Sequence, residues 1–218
     1  MGGDVKVIDD TLFALNATMQ GYHLYYYDAS EDTWIEYYED IKENGYYQYH
    51  DAQFFADDNG NFYKKWFLVT TWQMWDGTPG NPGDYKCGIY LINDGTAPAA
   101  LANPISGTSG KTYSKLYRDL DDGQVFYTWD NAGSFEKVVV TGIEPDFNAT
   151  VTYDFVETDY LTGISGFYQY KDDNDVIHQY LLGNNSSGDY FVFHRDDSDG
   201  SLTDTEWESI WDYVEDDI

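Results

Sequence analysis

Short runs of tyrosine, phenylalanine, valine, isoleucine and threonine recur along the whole chain, each closed by a cluster of aspartate, asparagine and glycine. Few folds admit that rhythm. β-Branched and aromatic residues fit a pleated, half-buried surface, whereas Asp, Asn and Gly supply tight corners. Many short strands at near-even spacing therefore predict an all-β sandwich, barrel or propeller. Strands are expected at 22–28, 33–38, 46–50, 62–71, 86–92, 112–118, 124–129, 137–141, 150–156, 166–171, 176–182 and 190–194. Hairpin corners are expected at Asp58-Asn59-Gly60, Asp121-Asp122-Gly123 and Asp130-Asn131-Ala132-Gly133, each with a Gly where positive φ costs little. One helix is predicted, about 203–215, because Thr203 or Asp204 can cap it and Trp207, Ile210, Trp211 and Val214 form an i, i+3, i+4, i+7 stripe. No linker is visible, so residues 1–218 read as a single domain.

The charge fits these corners. Thirty of the 40 acidic residues are Asp, set against 11 Lys and Arg, which leaves a formal charge of −29. Such a surface lacks the basic footprint of a nucleic-acid binder or of a protein that lies on anionic lipid. Aromatics make up 19% of the chain, too much burial capacity for a disordered acidic tail. Cys87 is the single cysteine, so an internal disulfide is excluded and the thiol reads as a small buried strand residue. Asp4, Asp9 and Asp10 break any export h-region near the start, and no apolar run approaches the length of a membrane span. High-salt adaptation, bound calcium and a basic partner would each account for the acidity.

Gly45-Tyr46-Tyr47-Gln48-Tyr49-His50-Asp51 recurs as Gly166-Phe167-Tyr168-Gln169-Tyr170-Lys171-Asp172, with five of seven positions identical, which points to a repeated unit. The segment Leu24-Tyr25-Tyr26-Tyr27-Asp28-Ala29-Ser30-Glu31-Asp32-Thr33-Trp34 resembles the tyrosine, aspartate-turn, tryptophan hairpin of kelch-type propeller blades, without that family's glycine doublet. Asp58-Asn59-Gly60-Asn61-Phe62-Tyr63 and Asp121-Asp122-Gly123-Gln124-Val125-Phe126 are similar to the Asp-box hairpin of sialidase-like propellers, without its leading Ser and Thr-Trp ending. These resemblances imply an antiparallel β-propeller of about five blades of roughly 40 residues each; the alternative is a two-sheet β-sandwich or jelly roll. The sialidase activity does not follow, because that family clamps its substrate with three arginines and this chain has only Arg118 and Arg195.

Two stretches carry candidate sites. Residues 195–206 resemble a calcium loop of EF-hand type: Asp197, Asp199 and Ser201 offer oxygens at every second position, Gly200 gives the sharp turn, and Glu206 can close the site with both oxygens. Arg195 stands where the first carboxylate should be. Trp72-Gln73-Met74-Trp75-Asp76-Gly77 sets two indoles beside an amide and a carboxylate, which is chemistry suited to stacking and hydrogen-bonding a sugar or a protein surface. Trp72, Trp75 and Asp76, with Tyr26 and Tyr46 from outward-facing strand positions, are the expected ligand contacts. His23, His50, His178 and His194 show no tight ligand spacing and read as structural, and no phosphate loop, nucleophile elbow or zinc pattern occurs.

The resulting expectation is a non-catalytic protein of a cell or virion surface, or otherwise extracellular, with a cytoplasmic location left open. It would recognise a glycan or a partner protein through exposed Trp and Tyr, with calcium ordering its acidic turns. A structural subunit that self-associates in a filament, capsid or surface layer is the alternative. A second is an acidic inhibitor or immunity protein for a basic partner.

Overall fold

The computed structural model describes residues 3–8, 11–18, 21–41, 46–57, 59, 62–75, 87–93, 104–113, 115–130, 132–154, 162–198 and 207–213. Within them every regular element is a strand and every sheet is antiparallel, so the all-β expectation holds. The first sheet joins β1 (Gly3–Ile8), β2 (Thr11–Thr18), β3 (Gly21–Asp28) and β4 (Thr33–Ile41) in that order. A second joins β5 (Tyr46–Ala56), β6 (Phe62–Trp75) and β7 (Gly88–Asn93). The third runs β11-β10-β9-β8, from β8 (Tyr117–Arg118), β9 (Val125–Trp129), β10 (Phe135–Thr141) and β11 (Asn148–Tyr153). The fourth joins β12 (Gly163–Lys171), β13 (Ile177–Asn184), β14 (Tyr190–Asp196) and β15 (Glu208–Tyr213). Neighbouring strands in each sheet are neighbours in the chain, the up-and-down order that short Asp- and Gly-rich corners enforce.

Those corners share one device. Asp130, Asp172 and Asn185 each turn a hairpin by accepting two backbone N–H groups on a side-chain oxygen: Asp130 from Ala132 and Ser134, Asp172 from Asn174 and Val176, Asn185 from Ser187 and Asp189. The fourth residue of the turn takes positive φ in all three, at Gly133 (+85°), Asp175 (+65°) and Gly188 (+91°). Asp28, Asp57, Asp119, Asp122 and Asp196 accept backbone N–H groups two residues on in the same manner. The excess of Asp over Glu follows, because a carboxylate on one methylene reaches these amides and a longer side chain overshoots.

The chain divides into two compact units, Met1–Thr128 with Val138–Val151, and Trp129–Lys137 with Thr152–Ile218. The core of the first gathers Phe55, Leu68, Ile89, Tyr113, Leu116, Phe126, Val138 and Val140, with Phe147 meeting Phe55, Tyr63 and Trp66 edge-on. Asp51, fully buried in it, accepts the backbone N–H of Leu116 at 2.8 Å and of Ala52 at 2.9 Å. The second unit rests on the inner face of β12–β14, where Phe167, Ile177, Leu181 and Phe193 are buried and Phe135 packs between Phe167 and Trp207. Burying each such side chain contributes about 1.5–3 kcal/mol.

The expected helix at about 203–215 is not present: Glu208–Tyr213 is strand β15, whose Trp211, Ser209 and Glu208 face Val192, Phe193 and His194 of β14. The strand splits the stripe, with Trp207 against Phe135 and Ile210 54% exposed, and the open edge of β14 decides. Hydrogen bonds to an existing strand outweigh a lone helix of about three and a half turns, which is marginal in water. Strands β1 and β2 were not expected, since their alternation is shallow and Val5 and Val7 stay 60% and 69% exposed. The seven-residue repeat falls on β5 and β12, the first strand of two different sheets.

Candidate metal centre

The fourth sheet has two distinct faces. Strands β12, β13 and β14 carry Tyr170, His178 and Asp196 in one row of facing residues, and Tyr168, Tyr180 and His194 in the next. Side chains alternate across a strand, so all six project from one side, while Gln169, Gln179, Arg195, Leu181 and Phe193 occupy the other. The register follows from the Asn185–Asp189 turn, which fixes every pairing between β13 and β14.

Four rings form a close grid on the outer side. Tyr170 lies beside His178 with centroids 5.0 Å apart and planes 19° apart, Tyr180 stands 4.8 Å from His194, and Tyr170 is 6.2 Å from Tyr180. His178 and His194 have centroids 5.3 Å apart with planes 18° apart, and Nδ1 of the first approaches Nε2 of the second to 3.0 Å. The nitrogens are much closer than the ring centres, so the imidazoles meet edge to edge. Without an ion, one ring donates its N–H to the lone pair of the other.

Two carboxylates complete the group. Ligand atoms of His178, His194 and Asp196 all lie within 4.8 Å of one another. At the other edge of His178, Asp172 Oδ2 stands 3.7 Å from Nε2. Hydrogen bonds from Ser198 hold the Asp196 carboxyl below the usual aspartate range, helped by the neighbouring histidines; bonds from the Val176 and Asn174 backbone do the same for Asp172. Both are thus anions at neutral pH. The Tyr170 phenol is pushed above its usual value, chiefly by its hydrogen bond to Tyr180.

Two imidazoles and a carboxylate are a donor set for zinc, iron, cobalt, nickel or copper; calcium prefers an all-oxygen cage. The spacing fits as well. Neighbouring imidazole nitrogens on a tetrahedral zinc lie about 3.3 Å apart, given bonds of about 2.0 Å, so the 3.0 Å pair needs only a small opening with ring rotation. The widest separation must close by about 1.5 Å, which a rotamer change on a half-buried Asp196 provides. If His178 binds through Nδ1, its Nε2–H points to Asp172, the carboxylate partner that metal-bound histidines commonly keep.

The reverse face anchors the strand that carries this rim. Arg195, between His194 and Asp196 in sequence, points inward and is only 2% exposed. Its Nε donates to Gln179 Oε1 at 2.8 Å, an Nη donates to Asp154 Oδ2, and its guanidinium carbon lies 4.3 Å from the centre of the Trp207 ring. Arg195 therefore has a structural place that is opposite in direction to the calcium loop expected around it.

The other expected contacts lie elsewhere on the chain, some of them outside the described residues. The Asp197 carboxylate accepts the backbone N–H of Ile177 at 2.6 Å and so ties β14 to the start of β13, while Asp199, Ser201 and Glu206 lie outside the described residues. Trp75 faces Tyr46 across the β5–β6 ladder, Trp72 lies on β6 beside the irregularity at Tyr49, and Asp76 lies outside the described residues. Tyr26 is half-buried on β3 with its ring 6.4 Å from that of Phe13. The reading of His178 and His194 as merely structural missed their meeting. Its signal was the Asn185-x-x-Gly188 turn: folding the chain there sets His178 against Asp196 and His194 against Tyr180, leaving the two histidines diagonal neighbours.

The geometry defines an all-β protein with a histidine–carboxylate cluster on an outer sheet face. No known family and no curated protein matches the sequence. Among solved structures it is similar to a crystal structure of a Bacteroides fragilis protein described as a 6-phosphogluconolactonase, at 10% identity and a TM-score of 0.48, over 96% of this chain and 56% of that one. The chain thus spans little more than half the length of that protein. The expectation of a non-catalytic surface-binding or adhesion protein is corrected here: none of these comparisons supports a surface-binding or adhesion role.

Proposed function

We propose that this protein binds a divalent transition-metal ion through His178 Nδ1, His194 Nε2 and the carboxylate of Asp196, with Asp172 orienting His178. The single observation that supports it most is the approach of the two imidazole nitrogens to 3.0 Å beside an ionised carboxylate. Three protein ligands resemble metal centres that keep an open position for chemistry more than closed structural ones. The four small up-and-down sheets are, in the same proposal, blades of a propeller of about five blades; the chain-order meander of each supports that arrangement.

Thermal melting with zinc, cobalt, calcium and chelator tests the metal reading. An ion at one hundred times its Kd adds about 2.7 kcal/mol, which for a chain of this size raises the midpoint by about 5–10 °C. Zinc and cobalt are expected to do so, and His178→Ala with His194→Ala to abolish it. An equal shift in that double variant, or none in the parent, overturns the reading. A shift with calcium that survives the double variant would instead locate a cation at Asp197–Glu206.

A further inference from the structure

Building on that metal reading, we infer that the ion's open position takes a small, uncharged, planar ligand with a nitrogen or oxygen donor, held against the tyrosine row. Two histidines and one carboxylate fill three places, so a four-coordinate ion keeps at least one for an outside donor. The surroundings select its charge. Asp172, Asp173, Asp175, Asp196, Asp197 and Glu208 lie on or next to this end of the sheet, and the chain as a whole carries −29. Of the nearby cations, Lys171 stands 3.9 Å from Asp175 and Arg195 is buried on the opposite face with Asp154. A divalent ion offset by the Asp196 carboxylate is outnumbered by the surrounding carboxylates, so an anion meets a net repulsive field that Lys171, 36% exposed and paired with Asp175, offsets only in part. A donor that carries a proton has no lone pair to give the ion.

Shape follows from the rings. Tyr168 is 62% exposed and Tyr170 36%, with centroids 6.0 Å apart, and Tyr170 lies directly beside the metal ligand His178. The hydroxyl of Tyr170 is engaged with Tyr180, so the open surface at this spot is ring rather than phenol oxygen. Flat aromatic surface beside a Lewis acid suits a molecule that stacks and coordinates at once, and an aromatic heterocycle is the simplest case.

The test loads the full chain with cobalt, follows its visible absorption, and titrates benzimidazole against inorganic phosphate. Benzimidazole is expected to move the cobalt band saturably and phosphate to leave it in place. Tyr168→Ser, which replaces a ring away from the ligand atoms, should weaken benzimidazole by about threefold to tenfold without changing cobalt affinity. A band that benzimidazole leaves unmoved, equal or stronger competition by phosphate, or unchanged benzimidazole affinity in Tyr168→Ser overturns this inference alone. Failure of the parent chain to bind cobalt overturns the metal reading and this inference with it.

Discussion

Asp154→Ala is the sharpest perturbation of the sheet that carries the site. Arg195 is 2% exposed, Asp154 5% and Gln179 0%, so removing the carboxylate takes from a buried guanidinium an anion to which it donates. Breaking a buried pair at one end costs about 3–5 kcal/mol, because the surviving charge keeps its desolvation penalty and loses its compensation. With a shift of about 2–4 °C per kcal/mol for a chain of this size, the midpoint should fall by about 6–20 °C. Replacing both ends, Asp154→Leu with Arg195→Met, removes both charges and fills the space, and should remain within about 1.5 kcal/mol of the parent. Urea unfolding at neutral pH, read by far-ultraviolet circular dichroism, supplies the free energies. Repeating it in 1 M salt should leave the differences in place, since a buried pair is little screened. The reasoning is refuted if Asp154→Ala costs under about 1 kcal/mol or if the double variant is as unstable as the single one.

Asp51→Ala leaves the buried Leu116 N–H without its acceptor and should cost about 1–3 kcal/mol in the same unfolding assay. Gly133→Ala should destabilise by about 1–2 kcal/mol, because φ is +85° and the new Cβ would stand 3.0 Å from the Thr162 carbonyl oxygen. The equivalent position in the next such turn holds Asp175 at +65°, so Asp175→Gly should raise the midpoint, its exposed contact with Lys171 being worth little. Asp28 is held below the usual aspartate range, first by the Ser30 hydroxyl and then by backbone N–H groups. A lowered folded pKa gives stability that is present above the unfolded value near 4 and is lost as pH falls through the folded value. Acid melting curves of Asp28→Asn should therefore lose part of that dependence below pH 4, and an unchanged acid limb would refute the assignment.

Much of the architecture is local and was legible. Alternation of Phe, Tyr, Val and Ile with polar residues marked every strand from β3 to β14, although the strand expected at 112–118 is reduced to β8 and a single bridge at Tyr113. Asp-x-x-Gly and its variants marked the corners, because the amides they satisfy lie within four residues. The end of the chain misled because its helical spacing is overridden by the edge of β14, which lies outside the segment. The function expectation leaned on tryptophans and an EF-hand spacing, of which Asp76, Asp199, Ser201 and Glu206 lie outside the described residues.

Sequence by itself therefore determined most strands between β3 and β14 and the chemistry of the turns, since alternation and Asx turns rest on near neighbours. Tertiary pairing decided the rest. His178 and His194 are 16 positions apart and gain their 3.0 Å approach only when β13 and β14 lie side by side. Arg195 and Asp154 are separated by 41 positions and become partners only because both are buried behind the sheet. Distances of that kind depend on register and burial, which belong to the folded chain as a whole.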